Sequence, residues 1–222
     1  MHRIMRKVGA IAYCSLLLTT VAYASDATDW PAIKTELEAM HKTDQTLRLE
    51  SNAVLVDARA KGVEVDQVAQ KQLWSKINTQ DLANQKRLTE LVDLHGWPKQ
   101  SVVGQEGAMT AFLIVQHATD LNYQLKYIEA IREATRTGEA SKQSFALLED
   151  RVLLRQGKPQ RYGSQVETKG GVGLKSLDDE ANLNARRAAM DMEPICEYLA
   201  RFVKTHGKIV YPPCVKSSAS EK

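Results

Sequence analysis

The chain has 222 residues, of which 43% are hydrophobic and 26% charged, a composition sufficient for one globular domain with a buried core. Its formal net charge of +3 belongs to Arg3, Arg6 and Lys7, because the rest of the chain has 27 basic and 27 acidic residues. A neutral remainder has no general attraction to phosphate backbones, so nucleic acid is excluded as an expected partner.

The N-terminus has the three parts of a secretory signal peptide. Basic residues precede an apolar run from Val8 to about Ala22, and Ala22-Tyr23-Ala24 supplies the small residues before a cleavage point. The run is shorter than the roughly 20 residues that cross a bilayer, so integral membrane association is not expected. We therefore expect a periplasmic or secreted protein that begins at Ser25. The expected organisation is a signal peptide at 1–24, a single helical domain at 25–216 and a disordered tail at 217–222.

Apolar residues at helical spacing predict four long helices before residue 157. Asp29 and Pro31 are suited to the start of the first helix, and Gly96 followed by Pro98 is suited to the end of the second. The third is the most apolar and is expected to be continuous. The expected boundaries are Pro31 to Gly62, about Asp66 to Gly96, about Gln105 to Arg136 and about Ser141 to Gln156.

The pattern changes after Gly157, where glycines and polar residues predict an irregular excursion or short hairpin. A last helical stretch is expected from about Asp178 to His206, broken or kinked at Pro194. The predicted fold is mostly α, a bundle of about five to six helices with one irregular or short β-hairpin excursion around residues 157–177.

Two cysteines, Cys196 and Cys214, remain after the signal peptide is removed. Because disulfides persist outside the cytoplasm, this even pair predicts one bridge between the last helix and the C-terminal segment. Two unpaired thiols are the alternative.

Polar residues at helical spacing suggest two candidate sites. Asp44, Gln45 and Arg48 share one side of the first helix, either as an ordinary intrahelical ion pair or as ligand-binding groups. Gln116, His117 and Asp120 follow the most apolar segment, so His117 could act as a general acid or base that Asp120 orients. A structural histidine is the other interpretation.

A third group of polar residues lies between the fourth helix and the excursion. Asp150 and Arg151 are adjacent and diverge, so at least one should reach another element as a salt bridge or a ligand contact. Gln160, Tyr162 and Gln165 could cover a pocket, or belong to a solvated hairpin. One histidine and one nearby carboxylate do not make a ligand set, so no metal and no cofactor are expected.

Together these motifs resemble a bacterial family, domain-of-unknown-function family 6624, over about Leu37 to Tyr198. Ser164 stands where the family's Tyr-Gly-Thr-Gln motif has threonine, a change that keeps the hydroxyl. The resemblance implies a shared domain and no particular reaction. The motifs are Asp44-Gln45-x-x-Arg48, Gly96-Trp97-Pro98 with Ser101 and Gly104, Gln116-His117-x-x-Asp120, Asp150-Arg151 and Gly157-Lys158-Pro159-Gln160-x-Tyr162-Gly163-x-Gln165.

Two classes of function stay open. The first is an exported protein that binds a small ligand or an exported partner protein, for example as a neutralising or inhibitor protein. The second is a hydrolase or group-transfer enzyme, in which His117 and Asp120 form an acid–base pair and Arg48 or Arg151 binds an anionic group. Convergence of the polar motifs on one solvent-reachable cavity would favour a ligand site, and a sealed network would favour a structural role.

Overall fold

A computed structural model describes residues 28–214, so the expected signal peptide and tail lie outside the described residues. Within this part of the chain the fold is mostly α with one short antiparallel hairpin, as the sequence predicts. No helix between residues 28 and 214 is long and apolar enough to span a bilayer. The elements are α1 Trp30–Lys61, α2 Gln67–His95, α3 Gln100–His117, α4 Leu121–Arg136, α5 Lys142–Arg155, β1 Val166–Glu167, β2 Gly173–Leu174, α6 Leu183–Ala189 and α7 Ile195–His206.

The two longest helices begin and end close to their predicted positions. The Asp29 side chain accepts a hydrogen bond from the Ala32 N–H at the start of α1, and Asp66 caps α2 in the same way. These caps satisfy N–H groups that have no partner within the helix. Gly62 ends α1 with a φ of 64°, a left-handed conformation that glycine adopts without strain.

The prediction of one continuous third helix from Gln105 to Arg136 is wrong, because the helix is interrupted between α3 and α4. The Asp120 side chain accepts from the Asn122 N–H and so begins a new helix. Arg155 Nη1 donates to the Ala118 carbonyl oxygen at 3.2 Å, which gives the end of α3 a partner outside the helix. The break raises the number of α-helices among residues 28–214 to seven, above the predicted five to six.

Helices α1, α2, α4 and α5 pack around α3, which contributes to two hydrophobic clusters. One cluster joins α3 to α1 and α2, where Leu37 and Val103 are fully buried. The other joins α3 to α2, α4 and α5, with Val115, Ile131 and Leu148 at its centre. This packing fixes the polar end of α3 between α1 and α5.

The residues after α5 form a smaller lobe with a third hydrophobic cluster, centred on Val172, Leu183 and Leu199. The predicted break before α7 is present at Pro194, but α6 begins at Leu183 rather than at about Asp178 and already ends at Ala189. The predicted bridge between Cys196 and Cys214 is confirmed, with an S–S distance of 1.98 Å. A cleft between this lobe and the helical bundle contains the candidate site.

Candidate functional site

An arginine on α1 joins carboxylates from two helices. Arg48 Nε donates to Asp44 Oδ1 at 2.9 Å, and Arg48 Nη2 donates to Asp81 Oδ1 of α2 at 2.5 Å. The Gln45 side-chain amide donates to the second Asp44 oxygen at 2.7 Å. The predicted motif on α1 is therefore one side of a cluster between helices, and Asp81 completes it.

His117, the last residue of α3, lies beside this cluster. Its Nδ1 is 3.4 Å from Asp44 Oδ1, but within the described chain this nitrogen has no aligned hydrogen bond. The sequence-based expectation placed Asp120 beside the imidazole. Asp120 is instead exposed and caps α4, so Asp44 is the carboxylate that faces Nδ1. Nε2 is therefore the ring nitrogen that remains for another molecule.

The two carboxylates of the cluster differ in their electrostatics. Burial opposes ionisation of Asp44, but the neighbouring His117 imidazole and the hydrogen bond and positive charge of Arg48 outweigh it and lower the pKa of Asp44. Burial raises the pKa of Asp81, and the charge of Asp44 adds to that rise against the opposing effect of Arg48. Asp44 is thus held as a carboxylate, while Asp81 is the more readily protonated partner.

Asp44, Asp81 and His117 also have the chemistry of a cation site. One ligand atom from each lies within 4.8 Å of the other two, and imidazole with two carboxylates is a set that divalent metals accept. The motifs in the sequence predict no metal, because Asp81 belongs to none of them. Arg48 already places a positive charge between the two carboxylates, so a metal ion would compete with its guanidinium group.

A cavity of about 400 Å³ opens on the other side of His117, and Arg151 of α5 lies in its wall. Arg151 Nη1 donates to the Gln116 carbonyl oxygen at 2.8 Å. Among residues 28–214 no carboxylate lies within ion-pair distance of Arg151. Burial lowers the pKa of this guanidinium group, and repulsion from Arg155 and Arg48 lowers it further. The cavity therefore has a positive charge that the described protein does not neutralise.

The rest of the cavity combines polar groups with an apolar surface. Gln116 is 6% exposed, and its side-chain oxygen has no hydrogen-bond partner within the described residues. A buried acceptor without a partner is uncommon and suggests a site for a donor from a ligand or water. The apolar wall comes from four elements, α3, α5, β1 and α7, and the lining residues that belong to it are Phe112, Leu113, Leu147, Val166, Tyr198 and Phe202.

Asp150 has a different role from its neighbour Arg151. It is completely buried, and its carboxylate accepts backbone N–H groups from Arg161, Tyr162 and Ser164 at 2.7 to 3.3 Å. These bonds tie the segment after α5 to the helix. Neither of the sequence-based alternatives, a salt bridge or a ligand contact, describes this arrangement.

Gln160 continues the same closed network. It is completely buried, and its amide pairs with both backbone groups of Gln165 and with the Lys175 carbonyl oxygen. Tyr162 is also buried, at 7% exposure. Of the three residues predicted to cover a pocket, Gln165 alone lines the cavity beside Arg151.

A model described as a family of unknown function (DUF6624) matches residues 31–210. The chain belongs to this family. No curated protein and no solved structure matches it.

The DUF6624 match extends from the start of α1 to beyond α7, so the family's domain contains the Arg48 cluster, the Asp150 network and the cleft between them. Membership confirms the resemblance found in the sequence. Because the family description states no activity, the chemistry must be inferred from the residues.

Sequence reasoning about this DUF6624 domain missed Asp81 and the two aromatic residues of α7. Asp81 follows the buried Ile77 by four residues and precedes the buried Leu88 by seven, so helical spacing could have placed it on the inner face of α2. Tyr198 and Phe202 had no such signal, because their position depends on how α7 packs beside the bundle.

Proposed function

We propose that this protein is an exported binding protein whose cleft takes a small ligand with an anionic group and an apolar body. The observation that carries this proposal is Arg151, a half-buried guanidinium group in a cavity wall without a carboxylate partner among the described residues. An anionic ligand would neutralise this charge through charge-assisted hydrogen bonds, which are stronger than neutral ones.

The shape and lining of the cavity support a small organic ligand. Its volume of about 400 Å³ lies within the usual range for ligand sites, which are often apolar with a few converging polar groups. Phe112, Leu147 and Tyr198 offer an apolar surface, while Arg151 and His117 offer polar contacts on one side. Such a lining favours a ligand with both an acidic group and an apolar part.

Export is supported by two features that are independent of the cavity. The N-terminal segment has the composition of a signal peptide, and the Cys196–Cys214 disulfide is a kind of bond that persists in oxidising compartments. Intact-mass analysis of protein recovered from the cell envelope or the medium should give a chain that begins at or near Ser25. A chain that retains Met1 there would contradict export by cleavage.

The binding proposal can be tested with a matched pair of probes, phenylacetate and its neutral isostere phenylacetamide. Isothermal titration calorimetry should detect binding of the carboxylate and at least tenfold weaker binding of the amide. Arg151→Met should weaken phenylacetate binding by tenfold to a hundredfold, the value of about 1.5–3 kcal/mol for a hydrogen bond to a charged group. Arg136→Met is the matched control, because Arg136 is an exposed arginine of α4 that pairs with Glu133.

Two results would contradict the binding proposal. Equal affinities for phenylacetate and phenylacetamide would show that the cavity does not select a negative charge. An equal loss of affinity in Arg151→Met and Arg136→Met would show that only the net charge of the protein matters.

A second candidate function, hydrolysis or group transfer, is favoured by the contact between His117 and Asp44. Asp44 would orient the imidazole through Nδ1, the role first expected of Asp120, and Nε2 would act as the acid or base. Turnover of p-nitrophenyl acetate that disappears in His117→Gln but persists with a raised KM in Arg151→Met would support this function. Absence of turnover in the wild-type protein would favour binding alone.

A further inference from the structure

One face of α7 carries an aromatic row along the cleft. Tyr198, Phe202 and His206 are spaced by four residues and therefore lie on one side of the helix. The rings of Tyr198 and Phe202 are 5.1 Å apart, and those of Phe202 and His206 are 6.4 Å apart. Ile195 and Leu199 are buried beside the row, and Tyr198 and Phe202 pack against their cluster, so the aromatic row lies where the core of this lobe meets the cleft.

The aromatic row connects the Arg151 cavity to a larger groove. Phe202 lines both the 400 Å³ cavity and a groove of about 1020 Å³ between the end of α7 and the turn from α1 to α2. Leu55, Val56 and Val63 line this groove and are 42%, 54% and 58% exposed. Exposed apolar residues that cluster in a groove are typical of an interaction site.

Most of the charged residues that line the groove are basic. Arg59, Arg201 and His206 line it, together with a single acidic lining residue, Glu64, and Arg201 is paired with Glu193 at 2.6 Å. Arg151 adds another basic group at the far end of the aromatic row. The continuous surface therefore complements an occupant that is partly apolar and carries negative charge.

We propose that this continuous cleft binds the C-terminal segment of a peptide, extended along α7, with its terminal carboxylate at Arg151. The inference rests on the proposed anion-binding cavity and names its ligand class. Because Arg151 lies at one end of the aromatic row, the anionic group belongs at the end of the bound chain.

The length of the row sets the length of the peptide. His206 follows Tyr198 by eight helical positions, which is about 12 Å at 1.5 Å per residue. An extended chain covers about 3.3 Å per residue, so roughly four peptide residues follow the row. Apolar side chains near the C-terminus contact Phe202, and preceding acidic residues lie near the basic groups of the groove.

The test uses a pentapeptide mixture randomised at its first four positions and ending in leucine, prepared once as the free acid and once as the C-terminal amide. Affinity selection with mass spectrometry should retain peptides of the free-acid mixture at least tenfold more than those of the amide mixture. Val56→Asp and Val63→Asp, at exposed groove positions, should each reduce retention at least tenfold. Leu94→Asp is the matched control, since Leu94 is 74% exposed on α2 and does not line the groove.

Phenylacetate binding separates this inference from the proposed function. Both groove variants should bind phenylacetate as the wild type does, because the probe occupies only the cavity beside Arg151. If phenylacetate binds but free-acid and amide peptides are retained equally, or the groove variants retain peptides normally, the peptide inference is overturned and the anion site stands. If neither phenylacetate nor any peptide binds, both proposals are overturned.

Discussion

Two buried aspartates in this protein, Asp150 and Asp44, have similar surroundings in the sequence and opposite surroundings in the structure. Each lies on a helix, in a short polar motif that contains an arginine. Asp150 is completely buried and accepts backbone N–H groups from three residues of one segment. Asp44 is 7% exposed, and it contacts side chains: those of Gln45, Arg48 and His117.

The two carboxylates show the difference between polar groups that stabilise the fold and polar groups that can bind a ligand. The Asp150 oxygens are surrounded by main-chain donors, so no further molecule is required to complete the site. The Asp44 cluster holds an imidazole nitrogen without an aligned hydrogen bond and borders a cavity with an unneutralised arginine. A closed network of this kind fixes a fold, whereas an incomplete one beside a cavity marks a place where a ligand can bind.

The largest expected effect comes from breaking the closed network. Asp150→Asn replaces one acceptor oxygen with an N–H₂ group that would face backbone N–H donors. The free energy of unfolding should fall by about 3 kcal/mol, the cost of leaving buried groups unpaired. Urea denaturation measures this change, with Asp57→Asn at an exposed position of α1 as the control. A loss below about 1 kcal/mol would show that the segment after α5 does not depend on this carboxylate.

The same contrast explains which parts of the fold the sequence predicts. Caps and apolar spacing are local, so the sequence predicts the positions of α1, α2 and α5, which the structure shows to be capped by Asp29, Asp66 and Ser141. The sequence does not predict the break at Asp120, because an aspartate within a helical pattern is equally consistent with an exposed helical residue and with the cap of a new helix.

The site was predictable only in part, since its geometry depends on how helices pack. The structure places Asp44 beside the imidazole of His117, whereas Asp120, which the sequence predicts there, caps α4 instead. Whether Asp150 accepts from a ligand or from its own chain depends on a loop that folds back over α5. The spacing of residues in the sequence does not predict how that loop folds.

A smaller effect should appear when Asp44 is compared with Asp81. Asp44→Asn removes the carboxylate that Arg48 and His117 stabilise, so the free energy of unfolding at pH 7 should fall by about 1–3 kcal/mol. Because the folded pKa of Asp44 lies below its ordinary value of 3.8, this difference is fully present above about pH 4. It should disappear as the pH falls through the lowered pKa.

Asp81→Asn should show the opposite dependence on pH. The folded pKa of Asp81 is raised, so its contribution to stability is present below its ordinary value of 3.8 and is lost as the pH rises through the folded pKa. Relative to the wild type, Asp81→Asn should therefore gain stability between acidic and neutral pH. Melting temperatures of the two variants from pH 3 to pH 7 check both signs, and parallel curves would contradict the assignment of opposite pKa shifts.

The third expected effect concerns Asp120, which the structure separates from the cavity. Asp120→Ala removes the side-chain cap of α4 and should lower the free energy of unfolding by about 1 kcal/mol. Phenylacetate affinity should not change, because Asp120 does not line the cavity. A loss of affinity with little loss of stability would return Asp120 to the acid–base role that the sequence suggested.

His117→Gln should have the smallest effect on stability and still weaken ligand binding, which makes it the sharpest test of the contrast. The Nδ1 atom has no aligned hydrogen bond within the described chain, and the side chain is 19% exposed, so little stabilisation is lost with the ring. We expect a change in unfolding free energy below about 1 kcal/mol.

The same variant should weaken phenylacetate binding about tenfold, which corresponds to about 1.4 kcal/mol, because the ring forms part of the cavity wall beside Arg151. His95→Gln is the matched control, since His95 is exposed and contacts Thr28 at the other end of the bundle. Urea denaturation and calorimetry on both variants give the two quantities. If His117→Gln instead loses 2 kcal/mol or more of stability with unchanged affinity, the imidazole belongs to a packing network like that of Asp150. The binding site would then consist of Arg151, Gln116 and the aromatic row of α7 without His117.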